Sequence, residues 1–402
     1  MDTKIVQGDA YFTRINELPR QYPYLTSDVE TEVIIIGGGV TGAIVGYYLT
    51  KAQIPTVLLE KGRLAHGSSA ITTALLQYEL DSNAAELLAD FSPDKVEAAY
   101  RLGLEALEAL SSIIEDCGNR CCYTPADSVL YTQKREQVGL IKEEFRYRQS
   151  LGLPVSFFSE GAAPFPFPTQ AALMAKGGGA KLDPFLFAHQ LLEEGTLRGL
   201  RVYENSEAVS IQYHSDHVMV ETVYGHRVKG QLLICATGYD TSLFGTRAFG
   251  TKSTTFNIVT KPIPNLEEIL DQSLFRDNED PYHYFRTTPD KGLIIGGEDI
   301  DFDPHRNLEA QFPHSYSLLE QRLKDLFPQY PIEVAYRYCG AFASTKDNLG
   351  FIGRDPKHKR LWYCLGYGAN GILYALQGGK LLTKLYEGEA DPKLMLFKPD
   401  RF

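Results

Sequence analysis

Short β-branched runs alternate with stretches of helical spacing along most of the chain. Glu32-Val-Ile-Ile-Ile-Gly37 has the pattern of a strand buried on both faces. It leads into Gly37-Gly38-Gly39-Val40-Thr41-Gly42, then residues 43–51 at helical spacing, then a second apolar strand, Thr56-Val-Leu-Leu-Glu60. Strand, glycine turn, helix and strand make a βαβ unit. Ser92-Pro93-Asp94 offers an N-cap with proline at the first helical position, and apolar residues recur at helical spacing from Val96 until Gly118, which predicts an amphipathic helix. A second capped helix is predicted from Asp183-Pro184 to about residue 197. Alternating segments at 208–213 and 218–224 and the apolar run 232–236 predict a small meander that returns to a buried strand. Residues 257–302 are strand-like, broken by the turn Thr288-Pro-Asp-Lys-Gly292. A strand at 361–365, a glycine loop at 366–371 and a helix from about 373 to 387 close the pattern. No repeat or low-complexity linker separates these segments, so two interleaved units are expected rather than beads on a string.

Charge and cysteine content narrow the reading. The 402 residues include 51 acidic and 40 basic side chains, a net charge of −11 that repels a phosphate backbone and argues against a nucleic-acid partner. Six cysteines are too few for a disulfide scaffold, and Cys117, Cys121 and Cys122 lack the second ligand pair of a zinc site, so all six are expected as thiols and no metal is expected. Residues 33–50 carry no charge and reach the minimum length of a membrane span, but five glycines there fit a strand turning into a helix better, so no transmembrane segment is expected. The first thirty residues lack the basic start and apolar run of a secretory signal, which predicts a cytoplasmic protein.

The glycine turn has a mechanical meaning. Gly37 permits the tight turn, Gly39 lets the backbone approach a pyrophosphate, and Gly42 lets the helix lie close to the strand, with the phosphate at the positive helix N-terminus. Glu60, twenty-three residues after Gly37, is placed to accept from a ribose hydroxyl. Farther on, Leu232-Leu-Ile-Cys-Ala236-Thr237-Gly238 ends an apolar strand in a small-residue turn, and Gly366-Tyr-Gly-Ala-Asn-Gly371 is a second glycine loop that opens a helix. A nicotinamide domain needs neither; a long FAD molecule lying across a sheet needs backbone contact at several such places.

With these motifs in order, and with Gly67-Ser-Ser-Ala-Ile-Thr-Thr73, Ala180-Lys-Leu-Asp-Pro184 and residues 340–353 between them, the chain resembles the FAD-dependent oxidoreductases of the D-amino-acid oxidase type, which include glycine oxidase, sarcosine oxidase and the amine oxidoreductases of polyamine breakdown. The resemblance implies an α/β fold in which a doubly wound FAD-binding domain (30–80, 170–245 and 335–390) is interleaved with an antiparallel-sheet substrate domain (81–169 and 246–334), residues 1–29 and 391–402 being terminal extensions. It implies that Val40 and Thr41 give backbone N–H groups to the pyrophosphate, that Glu60 holds the ribose with Lys61 beside it, and that Val209 meets adenine through its main chain. Residues 68–76 would pass the phosphates and line the isoalloxazine, with Ser68, Ser69, Thr72 and Thr73 as polar contacts. Ala236, Thr237, Gly238 and Gly340 would lie along the cofactor, and Gly368, Ala369, Asn370, Gly371 and Ile372 would curl around its pyrimidine end. FAD is expected to be non-covalent: His66 and Cys339 lie near positions of covalent attachment in relatives but out of register with them.

On the substrate side the resemblance departs from its pattern. Glycine oxidase-like enzymes clamp the substrate carboxylate with arginines at positions held here by Phe342 and Ala369, and sarcosine oxidase-like enzymes use a lysine where Asn370 stands. Tyr282, Tyr284 and Arg286 share a strand face by the period-two rule and are expected to replace these anchors, with Glu298 and Asp299 bringing carboxylates from the returning strand. The implied activity is oxidation of the C–N bond of a small-molecule amine or amino-acid-like substrate, by hydride transfer to flavin N5 and hydrolysis of the imine, with oxygen or a carrier as electron acceptor; an arginine, two tyrosines and an acid in one pocket suit a longer amine with a carboxylate or carbonyl remote from the reacting nitrogen. The alternatives are oxidation of a 2-hydroxy acid on the same fold, or flavin binding without catalysis.

Overall fold

A computed structural model describes residues 6–303, 313–368 and 370–402. The βαβ unit forms as patterned: strand Val33–Ile36, helix Val40–Lys51 and strand Thr56–Leu59. These two strands sit in a six-stranded sheet ordered Phe351–Arg354, Leu361–Leu365, Leu232–Cys235, Val33–Ile36, Thr56–Leu59, Arg201–Tyr203, parallel except for its first pair. Alternate residues of the central strand face opposite cores. Val33 and Ile35 pack with the helices Val40–Lys51, Pro93–Cys117, Pro184–Leu197 and Gly371–Tyr386. Ile34 and Ile36 pack with a four-stranded sheet built from 208–213, 218–222, 227–230 and 29–30. With both faces covered, the residues that read as continuous apolar runs are buried throughout.

The capped helices are as expected. Ser92 accepts from the Lys95 N–H, the helix Pro93–Cys117 ends at Gly118 with φ +78°, and Asp183 accepts from the Phe185 and Leu186 N–H groups. The uncharged stretch 33–50 is the buried strand and helix, and among the described residues no helix is long and apolar enough to cross a membrane.

The second large element is a ten-stranded sheet. One face carries an aromatic core in which Phe165, Phe167, Phe275, Phe285 and Phe327 meet, covered by helix Pro313–Leu326. The opposite face turns toward the six-stranded sheet. Three segments expected in the nucleotide unit, Leu75–Gln77, Ala171–Lys181 and Val334–Ser344, are strands of this large sheet, so the crossings between units fall inside the ranges drawn from the sequence. Pairing partners far apart in the chain set these crossings, and no local pattern marks them.

Both terminal segments are bound to the body. Val6–Gly8 pairs with Val334–Ser344, and the following helix Tyr11–Ile15 buries Phe12. At the other end, the Arg401 guanidinium forks onto Asp347 with both contacts at 2.9 Å, and Lys95 adds a third cation contact at 2.6 Å.

Candidate active site

A continuous cavity of about 590 Å³ lies between the two large sheets. Its nucleotide end is main-chain architecture. Gly37 takes φ +112°, a conformation that favours glycine, and its N–H donates to the Leu59 carbonyl at 2.9 Å. Gly42 does not line the cavity; a Cβ there would press into the Gly37 carbonyl oxygen, so this glycine lets the helix start against the turn. Gly37, Gly39, Val40 and Thr41 line the wall, joined by Glu60 and Lys61 at one side and by Ala236, Thr237 and Gly238 at another. The Val40 N–H, expected to face phosphate, donates to Ser69 Oγ at 2.9 Å in this arrangement.

Glu60 accepts from the Gly38 N–H at 2.7 Å and the Gly62 N–H at 2.9 Å. Burial pushes its carboxyl up, and these two N–H groups oppose the shift. Each oxygen keeps a lone-pair direction beyond its backbone donor, which is what a ribose diol requires. Half-exposed Lys61 stands 3.8 Å from Asp240, and Val209, 48% exposed, lies at the mouth.

Residues 68, 69 and 71–77 form a long side of the cavity, so Ser68, Ser69, Thr72 and Thr73 all line it. The far wall includes Gly366, Gly368, Gly371 and Ile372. Gly340 is not on the wall: it is locked between Val6 and Thr255 in the sheet ladder, and its successors Ala341 and Phe342 reach the cavity instead. Asn370 turns away as well, its side-chain amide donating to the Glu79 carbonyl while its own carbonyl accepts from the Tyr374 N–H. Ala369 lies outside the described residues.

The substrate end departs most from the sequence expectation. Tyr282 and Tyr284 line the cavity, with Thr255 3.2 Å from the Tyr284 hydroxyl. Burial, with Asp81 and Asp299 nearby, pushes both phenols up and keeps them protonated as donors. Arg286 does not join them. Its Nε donates to the Thr73 carbonyl at 2.6 Å, Nη1 to Thr287 at 3.0 Å and Nη2 to Leu182 at 2.9 Å, with Phe12 against the guanidinium. The side chain is 1% exposed and burial pulls its pKa down to about 10. It shares a sheet face with Tyr284, but residues 72–75 and the N-terminal helix cover that face one pair along. The fork expected to bind substrate thus holds the main chain of the cavity wall from behind.

The cavity's far-end cation is Arg276, accompanied by Asp81 and Gln77. None of the three carries a local sequence signal. Arg276 reaches the cavity because it stands directly opposite Tyr284 in the antiparallel ladder, a register the sequence does not display. Gln77 is oriented by Ser128 at 2.9 Å, which donates to Glu79 at 2.6 Å. Of the two expected carboxylates, Glu298 is taken by His283 Nε2 at 2.8 Å, whereas Asp299 lies behind Thr255 with its carboxyl raised to about 6, chiefly by burial.

The cavity, with backbone on its nucleotide walls and a carboxylate at a ribose position, fits a long dinucleotide. The match to known proteins decides which: residues 32–385 match the family model described as FAD dependent oxidoreductase (DAO). The chain belongs to this DAO family. Its cofactor is FAD. It is similar to YhfW of Bacillus subtilis (strain 168), named as a Rieske 2Fe-2S iron-sulfur protein, at 25% identity over 98% of this chain and 76% of that one. It is similar to the gamma-glutamylputrescine oxidoreductase of Escherichia coli (strain K12) at 22% identity over 91% and 86%. The crystal structure of glycine oxidase from Geobacillus kaustophilus superimposes with a TM-score of 0.78 at 20% identity, covering 93% of this chain and 99% of that one. This DAO fold is the interleaved α/β architecture that the motifs imply. Among the described residues no cluster of His, Cys, Asp and Glu is arranged to hold a metal ion.

Proposed function

We propose that the protein oxidises the C–N bond of a small amine or amino-acid-like substrate, with FAD held non-covalently. The observation that carries this reading is the joining, in one cavity, of the FAD walls to an end where Tyr282, Tyr284, Asp81 and Arg276 converge. FAD supplies the hydride acceptor when bound. The chain's own residues orient and desolvate. Protonated Tyr282 and Tyr284 donate to substrate, Asp81 favours a cationic amine on arrival, and the half-sequestered site limits water. The Gly371–Tyr386 helix directs its N-terminus at the cavity and favours negative charge there. Non-covalent binding is supported by the placement of His66 and Cys339, neither of which lines the cavity; Cys339 is buried in the aromatic core. Residues 30–80, 170–245 and 335–390, trimmed of the strands that belong to the large sheet, serve as the FAD-binding unit.

Anaerobic mixing of the FAD-loaded protein with a panel of primary and secondary amines, amino acids and 2-hydroxy acids tests this. Bleaching of the flavin by members of the amine set is expected. Bleaching by hydroxy acids alone, or by nothing in a broad panel, would overturn the reading. Acid precipitation should release FAD into the supernatant.

A further inference from the structure

The ladder between strands Thr251–Thr260 and Leu293–Asp301 slips by one residue. Phe256 pairs with Gly297 and Thr254 with Ile300, so Thr255 alone stands opposite both Glu298 and Asp299. A bulge of this kind re-aims the side chains that follow it. Glu298, at φ +55°, turns to His283 Nε2 at 2.8 Å. Phe256 and Ile300 pack in the aromatic core, so Thr255 and Asp299 take the opposite face, the one that carries Tyr284. There the Tyr284 hydroxyl is 3.2 Å from Thr255 Oγ1, and either can be the donor. The Thr255 hydroxyl in turn favours the ionised form of Asp299. Tyr284 and Thr255 line the cavity and Asp299 does not. Among the described residues, Asp299 Oδ1 is buried with no hydrogen-bond partner. Cavity, phenol, hydroxyl and carboxyl thus stand in a row that ends with an acceptor oxygen to spare.

We infer that Asp299 takes up the proton a substrate ammonium must lose, handed to it by the hydroxyls of Tyr284 and Thr255. This rests on the C–N reading above. In an ammonium the nitrogen lone pair is bound to a proton, and hydride leaves the neighbouring carbon only when that pair is free to form the C=N bond. An amine that arrives as a cation beside Asp81 therefore has to be neutralised inside the cavity. The ammonium N–H bond breaks and its proton joins the Tyr284 oxygen. The Tyr284 proton passes to Thr255 Oγ1, and the Thr255 proton forms an O–H bond on Asp299. Both hydroxyls end as they began, the amine is neutral, and the carboxylate has become a carboxylic acid. Burial raises Asp299 to about 6, which makes it a stronger proton acceptor than an ordinary carboxylate and leaves it ionised at neutral pH. Around it, Asp81 and Glu298 add to the rise, His283 opposes it, and the phenols of Tyr282 and Tyr284 complete the titratable neighbours.

The experiment is anaerobic reduction of the FAD-loaded protein by the panel amine that bleaches it fastest, at saturating amine from about pH 5 to about pH 10. In the parent the rate is expected to rise as Asp299 ionises, through about pH 6, and then to level. In Asp299→Asn it is expected to fall at least about tenfold at pH 7 and to recover near pH 10, where the amine arrives already neutral. Thr255→Val, which keeps the carboxyl and removes the link to it, is expected to copy that profile. Asp81→Asn is expected to weaken amine binding and leave the profile in place. Infrared difference spectra of the oxidised, amine-free protein give a readout apart from turnover: a protonated-carboxyl band that titrates near pH 6 is expected in the parent and is missing from Asp299→Asn. A rate lowered equally at every pH, a parent-like profile in Asp299→Asn, a displaced profile in Asp81→Asn instead, or the same carboxyl band in both proteins would overturn the proposal. If only hydroxy acids bleach the flavin, the C–N reading falls and the ammonium proton with it; if amines bleach it and the profiles coincide, the relay alone falls.

Discussion

The two ends of the cavity are built from different materials. The nucleotide end is main chain: a glycine turn, a helix start and strand ends, with Glu60 fixed by two backbone N–H groups. The substrate end is side chain: two tyrosines, Arg276, Asp81 and Gln77 brought from three stretches of chain, 77–81, 276 and 282–284. Main-chain sites depend on a few contiguous residues and tolerate little change in them. Side-chain sites depend on register between distant strands and can exchange one anchor for another while the sheet stays the same. The arginines at 276 and 286, on adjacent strands, mark the division. One faces the cavity, and the other donates all its bonds to carbonyls behind the wall.

The contrast can be broken hardest at Gly42. A Val side chain there meets the Gly37 carbonyl, so Gly42→Val is expected to cost on the order of 4 kcal/mol and to abolish FAD retention, read by denaturant unfolding and flavin content. Arg286→Met comes next, because it strands the Thr73, Leu182 and Thr287 carbonyls; a loss of about 3–4 kcal/mol in unfolding free energy is expected. A loss below about 1 kcal/mol would show that Arg286 does not hold these carbonyls in the folded protein. Asp299 sharpens the picture of the substrate end. With its pKa raised to about 6, the native state holds its proton more tightly than the unfolded chain, so this group's cost appears as pH rises from about 4 and is complete above about 6. Asp299→Asn should therefore gain up to about 3 kcal/mol over the parent at pH 8 and nothing below about pH 4, measured by urea melts across pH. The smallest effect is at Glu60. Glu60→Ala should weaken FAD binding by roughly 1.5–3 kcal/mol, read by equilibrium dialysis of flavin, with the fold intact.

The nucleotide end was legible because its signal is local. Gly37, Gly39 and Gly42 carry their conformational reasons within six residues, and Glu60 follows at the end of the next strand. The substrate end was legible only in part. Period two puts Tyr282, Tyr284 and Arg286 on one face, and the structure agrees, but Phe12 and the Thr73 main chain cover that face at 286. What covers a strand face is a long-range fact. Arg276 needed the pairing Arg276↔Tyr284, and Gly340 and Asn370 needed knowledge of which neighbours take their main-chain and amide groups. None of these is encoded within a window of the chain.

The strand Val6–Gly8 closes against Tyr338–Gly340, so Val6 pairs with a residue made 334 positions later. At roughly 5–20 residues per second, that neighbour arrives on the order of half a minute after the first strand has been synthesised. The order of synthesis is therefore not the order of closure. The central strand Val33–Ile36 likewise has Leu232–Cys235 as its neighbour and Leu361–Leu365 one place beyond, and the cavity has walls at both Ile36 and Ile372. FAD therefore meets its full set of walls only after the strand at 361–365 and the helix that follows it have been made.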